Sequence, residues 1–170
     1  MTSKQTKGYV AAYLTEESKV NLHEWAEKNI PDDVLFYANM DGKIEGGNVT
    51  NKAHITLFFG FNNDLVDKDT LNQYLNTLNI KEVKPSRINV FSTPYSECNI
   101  LIIEIHDEDK TLLSIHNILK RFPHFEEDLE SKFISHITVA FIKADFDFSN
   151  LQLSNLPKIE IGRIEYRIKN

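Results

Sequence analysis

His54-Ile55-Thr56-Leu57-Phe58-Phe59-Gly60 is answered, 82 positions later, by His136-Ile137-Thr138-Val139-Ala140-Phe141. Successive side chains of an extended strand point to opposite faces. The first string therefore puts His54 and Thr56 on one face and Ile55, Leu57 and Phe59 on the other. The second puts His136, Thr138 and Ala140 on one face and Ile137, Val139 and Phe141 on the other. The apolar faces predict core strands, and the polar faces predict two matched imidazole and hydroxyl sets. With six His, ten Thr and 41% hydrophobic residues in the chain, a His-apolar-Thr-apolar string is expected by chance roughly 0.06 times. Either string alone also fits a core strand whose wetter face carries a His and a Thr; the repetition is what carries information.

The composition narrows the setting. The 170 residues suffice for a substantial core and ask for no second domain, so one domain over 1–170 is expected. The charged fraction of 26% is ordinary for a globular protein. Met1 to Lys7 is polar and precedes only the short apolar run Tyr9 to Leu14, so neither a secretory signal nor a membrane anchor is expected. Cys98 is the only cysteine, which fits a reducing, cytoplasmic compartment. A net charge of −6, from 25 acidic and 19 basic residues, argues against sequence-independent binding to a duplex backbone, which needs a basic face. A local cation cluster can still hold a small or terminal phosphodiester, and the candidates are Lys52, Arg87, Lys143, Arg163 and Arg167.

Along the chain, Tyr9–Leu14 predicts a strand and Thr15 the cap of a helix ending near Asn29, before Pro31. Val34–Tyr37 predicts a short strand, and 41–48, with Gly42, Gly46 and Gly47, a mobile loop. After the His54 strand, helical spacing of Leu71, Tyr74, Leu75 and Leu78 predicts a helix from about Asp67 to Leu78. Arg87–Phe91 and Asn99–His106 predict paired strands, and a helix from about Glu108 to Arg121 follows, stopped by Pro123. The acidic stretch 126–130 leads into the His136 strand, and a last strand is expected within Ile159–Ile168. The architecture expected is α+β: two antiparallel-rich sheets with outer helices, related by a pseudo-twofold, with the His strands at a central cleft. No residue-level repeat extends beyond the two strings.

Strand parity adds second-rank candidates. Tyr9 and Tyr13 share a face opposite Val10, Ala12 and Leu14, where an aromatic ring can stack on a base. Glu165 shares a face with Arg163 and Arg167, an arrangement that a surface charge ladder also explains. His23, His106, His116 and His124 stand outside any His-x-Thr string and rank low. The His, Cys and carboxylate positions lack the spacing of a zinc site, so no metal is expected, and Glu45-Gly46-Gly47-Asn48 lacks the lysine of a phosphate loop.

The paired strings resemble those of the 2H phosphoesterase superfamily. The resemblance implies a bilobal fold with a cleft between lobes, His54 and His136 as catalytic residues, Thr56 and Thr138 as phosphate-binding residues, and no metal or other cofactor. Within it, His54-Ile55-Thr56-Leu57-Phe58-Phe59-Gly60 is similar to the first motif of the RNA-ligase-like 2′,3′-cyclic phosphodiesterases. Gly8-Tyr9-Val10-Ala11-Ala12, together with Lys52, looks more like the phage anti-CBASS enzymes that degrade cyclic oligonucleotide signals, whose place of action is the host cytoplasm. That second likeness implies Tyr9 in a nucleotide pocket, an acidic contribution from Glu165, Lys52 near the site and Phe91 as a base platform.

The chemistry follows from the side chains. A phosphodiester is an anion, and threonine hydroxyls can donate hydrogen bonds to its nonbridging oxygens. One neutral His can take a proton from an attacking water or ribose 2′-hydroxyl while a protonated one supplies the leaving oxygen. An unperturbed pKa of about 6.5 suits histidine to both duties. The expected partner is a small nucleotide or a cyclic oligonucleotide, with no membrane, no duplex nucleic acid and no need for more than a monomer. Three readings stand: cleavage of cyclic oligonucleotides, opening of RNA 2′,3′-cyclic phosphates, and a sponge that binds nucleotides without cleaving them. The assignment of acid and base is open.

Overall fold

The computed structural model describes residues 5–40, 43–126 and 132–169. Its strands are β1 (Lys7–Leu14), β2 (Tyr37–Met40), β3 (Lys43–Gly46), β4 (His54–Asn62), β5 (Glu82–Val83), β6 (Pro85–Ser92), β7 (Cys98–Ile105), β8 (His136–Lys143) and β9 (Ile159–Ile168). The helices are α1 (Glu16–Asn29), α2 (Lys68–Leu75) and α3 (Thr111–Leu119), with 3-10 turns at Asp32–Val34 and Thr50–Lys52. Thr15 caps α1 through its side chain and Asp67 caps α2, satisfying backbone N–H groups that a first helical turn leaves open.

Seven strands form an antiparallel sheet in the order β5-β9-β1-β4-β8-β7-β6. Its centre is narrow: β4 and β8 are joined by a single residue pair, Ile55 opposite Ile137. On one side lie β5, β9, β1 and β4, the first lobe; on the other β8, β7 and β6, the second. Beyond that pair the strands part, and each free edge is covered by the segment that leads into the other His strand. Val49 N donates to Val139 O and Phe141 N to Gly47 O on β8, while Asn62 N donates to Pro123 O and Phe125 N to Gly60 O on β4. The parted edges therefore keep their backbone hydrogen bonds.

The helices bury one face of this sheet. Leu22, Trp25 and Ala26 of α1, Leu71 and Leu75 of α2, and Leu112, Ile115 and Leu119 of α3 join Val10, Ala12, Ile55, Leu57, Ile103, Ile137 and Val139 in one apolar cluster. Burying each of the Leu, Ile and Val side chains among them stabilises by about 1.5–3 kcal/mol. The opposite face carries both His-Thr sets.

Two expectations of strand parity change here. In β4 the register passes from Val10 opposite Phe58 to Ala11 opposite Thr56, so Leu57 is an extra residue, a β-bulge. In β8 it passes from Leu101 opposite Ala140 to Ile102 opposite Thr138, so Val139 is the extra residue. A bulge turns the side chains beyond it to the other face, in β4 until a second bulge at Gly60 returns Phe61 to the core. Phe58 and Ala140 thus enter the core, while Phe59 and Phe141, expected in the core, stand outside that cluster. The freed bulge carbonyls are capped from elsewhere: His116 Nδ1–H donates to Leu57 O at 2.7 Å, and Val49 N–H to Val139 O at 2.9 Å.

The region before His54 also differs. Residues 34–37 begin with the 3-10 turn and a lone bridge from Leu35 to Ile142 rather than a strand. The expected mobile loop contains β3, paired with β2 from Tyr37 opposite Gly46 to Met40 opposite Lys43, with residues 41 and 42 outside the described set. The glycines end this hairpin. Gly46 has φ +126, and a Cβ there would lie 2.3 Å from Phe36 O. α1 has its expected bounds, whereas α2 and α3 are shorter than their spacing predicts; α3 starts after Lys110 at φ 60, with the Asp107 carboxylate accepting from Leu112 N and Leu113 N. Most of the acidic stretch, 127–130, lies outside the described residues.

Candidate active site

The pair Ile55–Ile137 is the centre of the site. In antiparallel register around it, Thr56 lies across from His136 and Thr138 across from His54. The relation that carries Ile55 onto Ile137 carries His54 onto His136 and Thr56 onto Thr138. Both isoleucines are fully buried, whereas the two His and two Thr are half-buried on the other face.

Each imidazole is anchored in the same way. His54 Nδ1–H donates to Lys52 O at 2.7 Å, and His136 Nδ1–H to Ile134 O at 2.7 Å. A carbonyl accepts only from a protonated nitrogen, so each neutral ring carries its hydrogen on Nδ1. Nε2 is then the nitrogen available to take or give a proton. The 3-10 turn that presents Lys52 O is itself tied down: His23 Nδ1 lies 2.8 Å from the buried Thr50 hydroxyl, which donates to Asn48 Oδ1 at 2.6 Å.

The repeat continues into the neighbouring strands. Tyr13 on β1 is paired with His54, and Glu104 on β7 with His136. One strand further out, Arg163, Glu165 and Arg167 on β9 occupy the places that Arg87, Asn89 and Phe91 occupy on β6. The bulges at Leu57 and Val139 obey the same correspondence. The two halves thus share a register, though not their residues.

The first half is cationic and open. A cavity of about 690 Å³ beside His54 is lined by Tyr9, Tyr13, Lys19, Lys52, Arg163 and Arg167, among others. Tyr13 lies 5.5 Å from the His54 ring, centroid to centroid, and the Arg167 guanidinium 4.4 Å over the Tyr13 ring. Burial and the hydrogen bond with Tyr9 push the Tyr13 phenol up to about 12, so Tyr13 stays neutral at working pH. Glu165 is held by Arg163 Nε at 3.2 Å and Arg167 Nη2 at 2.9 Å. Tyr9 stacks on Phe59, with centroids 6.2 Å apart.

The second half is tighter. Phe91 packs edge-on to His136 with centroids 4.9 Å apart. Glu104, its side chain 15% exposed, is bonded by Arg87 Nε and by Asn89 Nδ2 at 3.1 Å. Burial lowers the His136 pKa, aided by His54, while the hydrogen bond to Ile134 and the Glu104 carboxylate act to raise it.

The structure thus brings His54, Thr56, His136 and Thr138 together, sets Lys52 and Tyr9 in the cavity beside His54 with Glu165 bonded to two of its arginines, and sets Phe91 on the opposite lobe. Lys143, at the far end of β8 opposite Cys98, stands apart. Glu104 and Asn89 do not stand out in the sequence: Glu104 gains its significance from cross-strand pairing with His136, more than thirty positions away, and Asn89 from its hydrogen bond to Glu104. His116, ranked low, serves the frame; it bonds the Leu57 bulge and stacks on Phe133 at 4.3 Å. Among the described residues no group of three or more His, Cys, Asp or Glu is placed to hold a metal ion, and no helix is long and apolar enough to cross a membrane.

This two-lobed sheet with paired His-x-Thr strands has the fold of the solved LigT and phosphoesterase structures. Solved structures similar to this chain include E. coli LigT complexed with NADP+, at 12% identity and a TM-score of 0.55, covering 98% of this chain and 96% of LigT. A protein described as a phosphoesterase is similar at 14% identity and a TM-score of 0.55, over 98% of this chain and 96% of its own. Usb1 of Kluyveromyces marxianus follows at 10% identity and a TM-score of 0.56, over 96% of this chain and 94% of its own. No protein-family model and no curated protein sequence matches the chain.

Proposed function

We propose that the chain, as a single domain, is a metal-independent phosphodiesterase that cleaves 3′-5′ linkages of cyclic oligonucleotide signals, as the phage anti-CBASS enzymes do. The observation that carries the reading is the pair of identically anchored imidazoles about Ile55–Ile137, each with Nε2 available and each beside a threonine hydroxyl. Thr56 and Thr138 hold the nonbridging oxygens, one imidazole accepts the proton of the attacking hydroxyl, and the other protonates the leaving oxygen. Two proton-transfer groups suit an enzyme better than a sponge, since capture alone needs neither.

The cavity beside His54 supports an oligonucleotide over a terminal 2′,3′-cyclic phosphate. Its 690 Å³ is in the range of small-molecule pockets. Tyr9 and Tyr13 offer faces for a base, and Lys52, Arg163 and Arg167 offer charge for a phosphate beyond the scissile one. LigT, of the same fold, has been solved with NADP+, itself a dinucleotide.

The test is product analysis in EDTA with cyclic dinucleotides, cyclic trinucleotides and 2′,3′-cyclic mononucleotides. Linear products from the cyclic oligonucleotides are expected. Product from 2′,3′-cyclic ends alone would replace this reading with the RNA-processing one, and binding without product with the sponge.

A further inference from the structure

The two halves stop matching beside the histidines: Tyr13, a phenol, adjoins His54, and Glu104, a carboxylate, occupies the corresponding place beside His136. A carboxylate largely withdrawn from water needs polar partners. Glu104 has two, Arg87 and Asn89 on β6, and they fix it in cross-strand register with the imidazole.

We propose that Glu104 is a positioning residue for His136: its carboxylate stabilises the protonated ring, so that His136 delivers the proton to the leaving oxygen and His54 accepts one from the attacking hydroxyl. The proposal rests on the phosphodiesterase reading. Among the described residues, the charges acting on His136 are Glu104 from β7 and the His54 imidazole from β4, with Arg87 reaching Glu104 from β6 and the uncharged Phe91 against the ring. Without Glu104, burial and a neighbouring imidazole would both oppose an imidazolium there. In the displacement the nucleophile's O–H proton passes to His54 Nε2 as its oxygen bonds phosphorus. The P–O bond to the leaving group breaks with its electron pair on that oxygen, which takes the proton of His136 Nε2. The protonation states of the two rings are then exchanged, and solvent resets them.

A carboxylate that merely ties β6 to β7 would leave proton affinity at His136 unchanged. NMR titration of the His136 Cε1–H signal, assigned with His136→Asn, separates the two roles. In Glu104→Gln the titration midpoint of His136 is expected to fall by about one unit, and the basic limb of the kcat profile is expected to move down with it. Glu104→Asp, which keeps the charge, is expected to restore most of both. An unmoved His136 midpoint in a folded Glu104→Gln protein with turnover would overturn the role of Glu104 alone. A moved midpoint in a protein that cleaves no phosphodiester would overturn the proton-delivery role together with the enzymatic reading.

Discussion

The two lobes are built on one register and furnished for different work. Each has a His-Ile-Thr strand, a bulge one residue past the Thr, and a hydrogen-bonded cap on the bulge carbonyl, from the His116 side chain in one and the Val49 N–H in the other. Beyond that frame they diverge: Arg167 on β9 corresponds to Phe91 on β6, and Tyr13 to Glu104. The lesson is a division of labour. On the function proposed above, the shared frame sets where the proton-transfer groups stand, and the unshared neighbours decide what each lobe binds and which proton each imidazole handles.

Equivalent substitutions in the two lobes sharpen this contrast. Arg167→Ala removes a cation that lines the cavity and lies over Tyr13. It is expected to raise KM for a cyclic dinucleotide about tenfold, the loss of about 1.4 kcal/mol from a charge-assisted contact, and added salt is expected to shrink the difference between variant and wild type. Phe91→Ala at the corresponding place removes a ring face, worth about 1–3 kcal/mol per stacked base, with little salt dependence. KM measured at two ionic strengths for both variants checks this; the same salt response in each would erase the distinction between the lobes.

A smaller effect concerns the frame. Burial holds the pKa of both His116 and His136 below the ordinary value. The unfolded chain takes up these protons near pH 6.5 and the folded one only lower, so their contribution to stability is present above that pH and is lost as pH falls through the folded values. Thermal midpoints are therefore expected to drop on acidification below about pH 6.5. His116→Gln is expected to show a shallower drop from a lower starting point, since the bond to Leu57 O is altered. An equally steep acid limb in that variant would remove His116 from the account.

Much of this was legible from side-chain type and parity. The core roles of Ile55, Leu57, Ile137 and Val139, the shared face of the His-Thr sets, and the Thr15 and Pro31 boundaries of α1 are local properties of the chain. What escaped was non-local. The bulges send Phe59 and Phe141 to the face opposite the one that alternation predicts, and a bulge becomes visible only when a partner strand supplies the count. Glycines at 46 and 47 signal a turn and so hide β3 from a local reading, whereas they mark where a hairpin ends. The continuation of the repeat into Arg163 and Arg87, or into Tyr13 and Glu104, is a repeat of register with little repeat of residue type. It also runs through β9, which the chain supplies last although its counterpart β6 precedes the second His strand.

The central claim is that His54 and His136 act as one proton-transfer unit. Its most direct test is single-turnover cleavage of a cyclic dinucleotide, in EDTA, by wild type, His54→Ala, His136→Ala and the double variant, each shown to be folded by circular dichroism. The account predicts a loss of at least about 10²-fold for either single variant, with the double variant little worse than the weaker single, as expected of groups that work together. Near-normal cleavage by either folded single variant would contradict it.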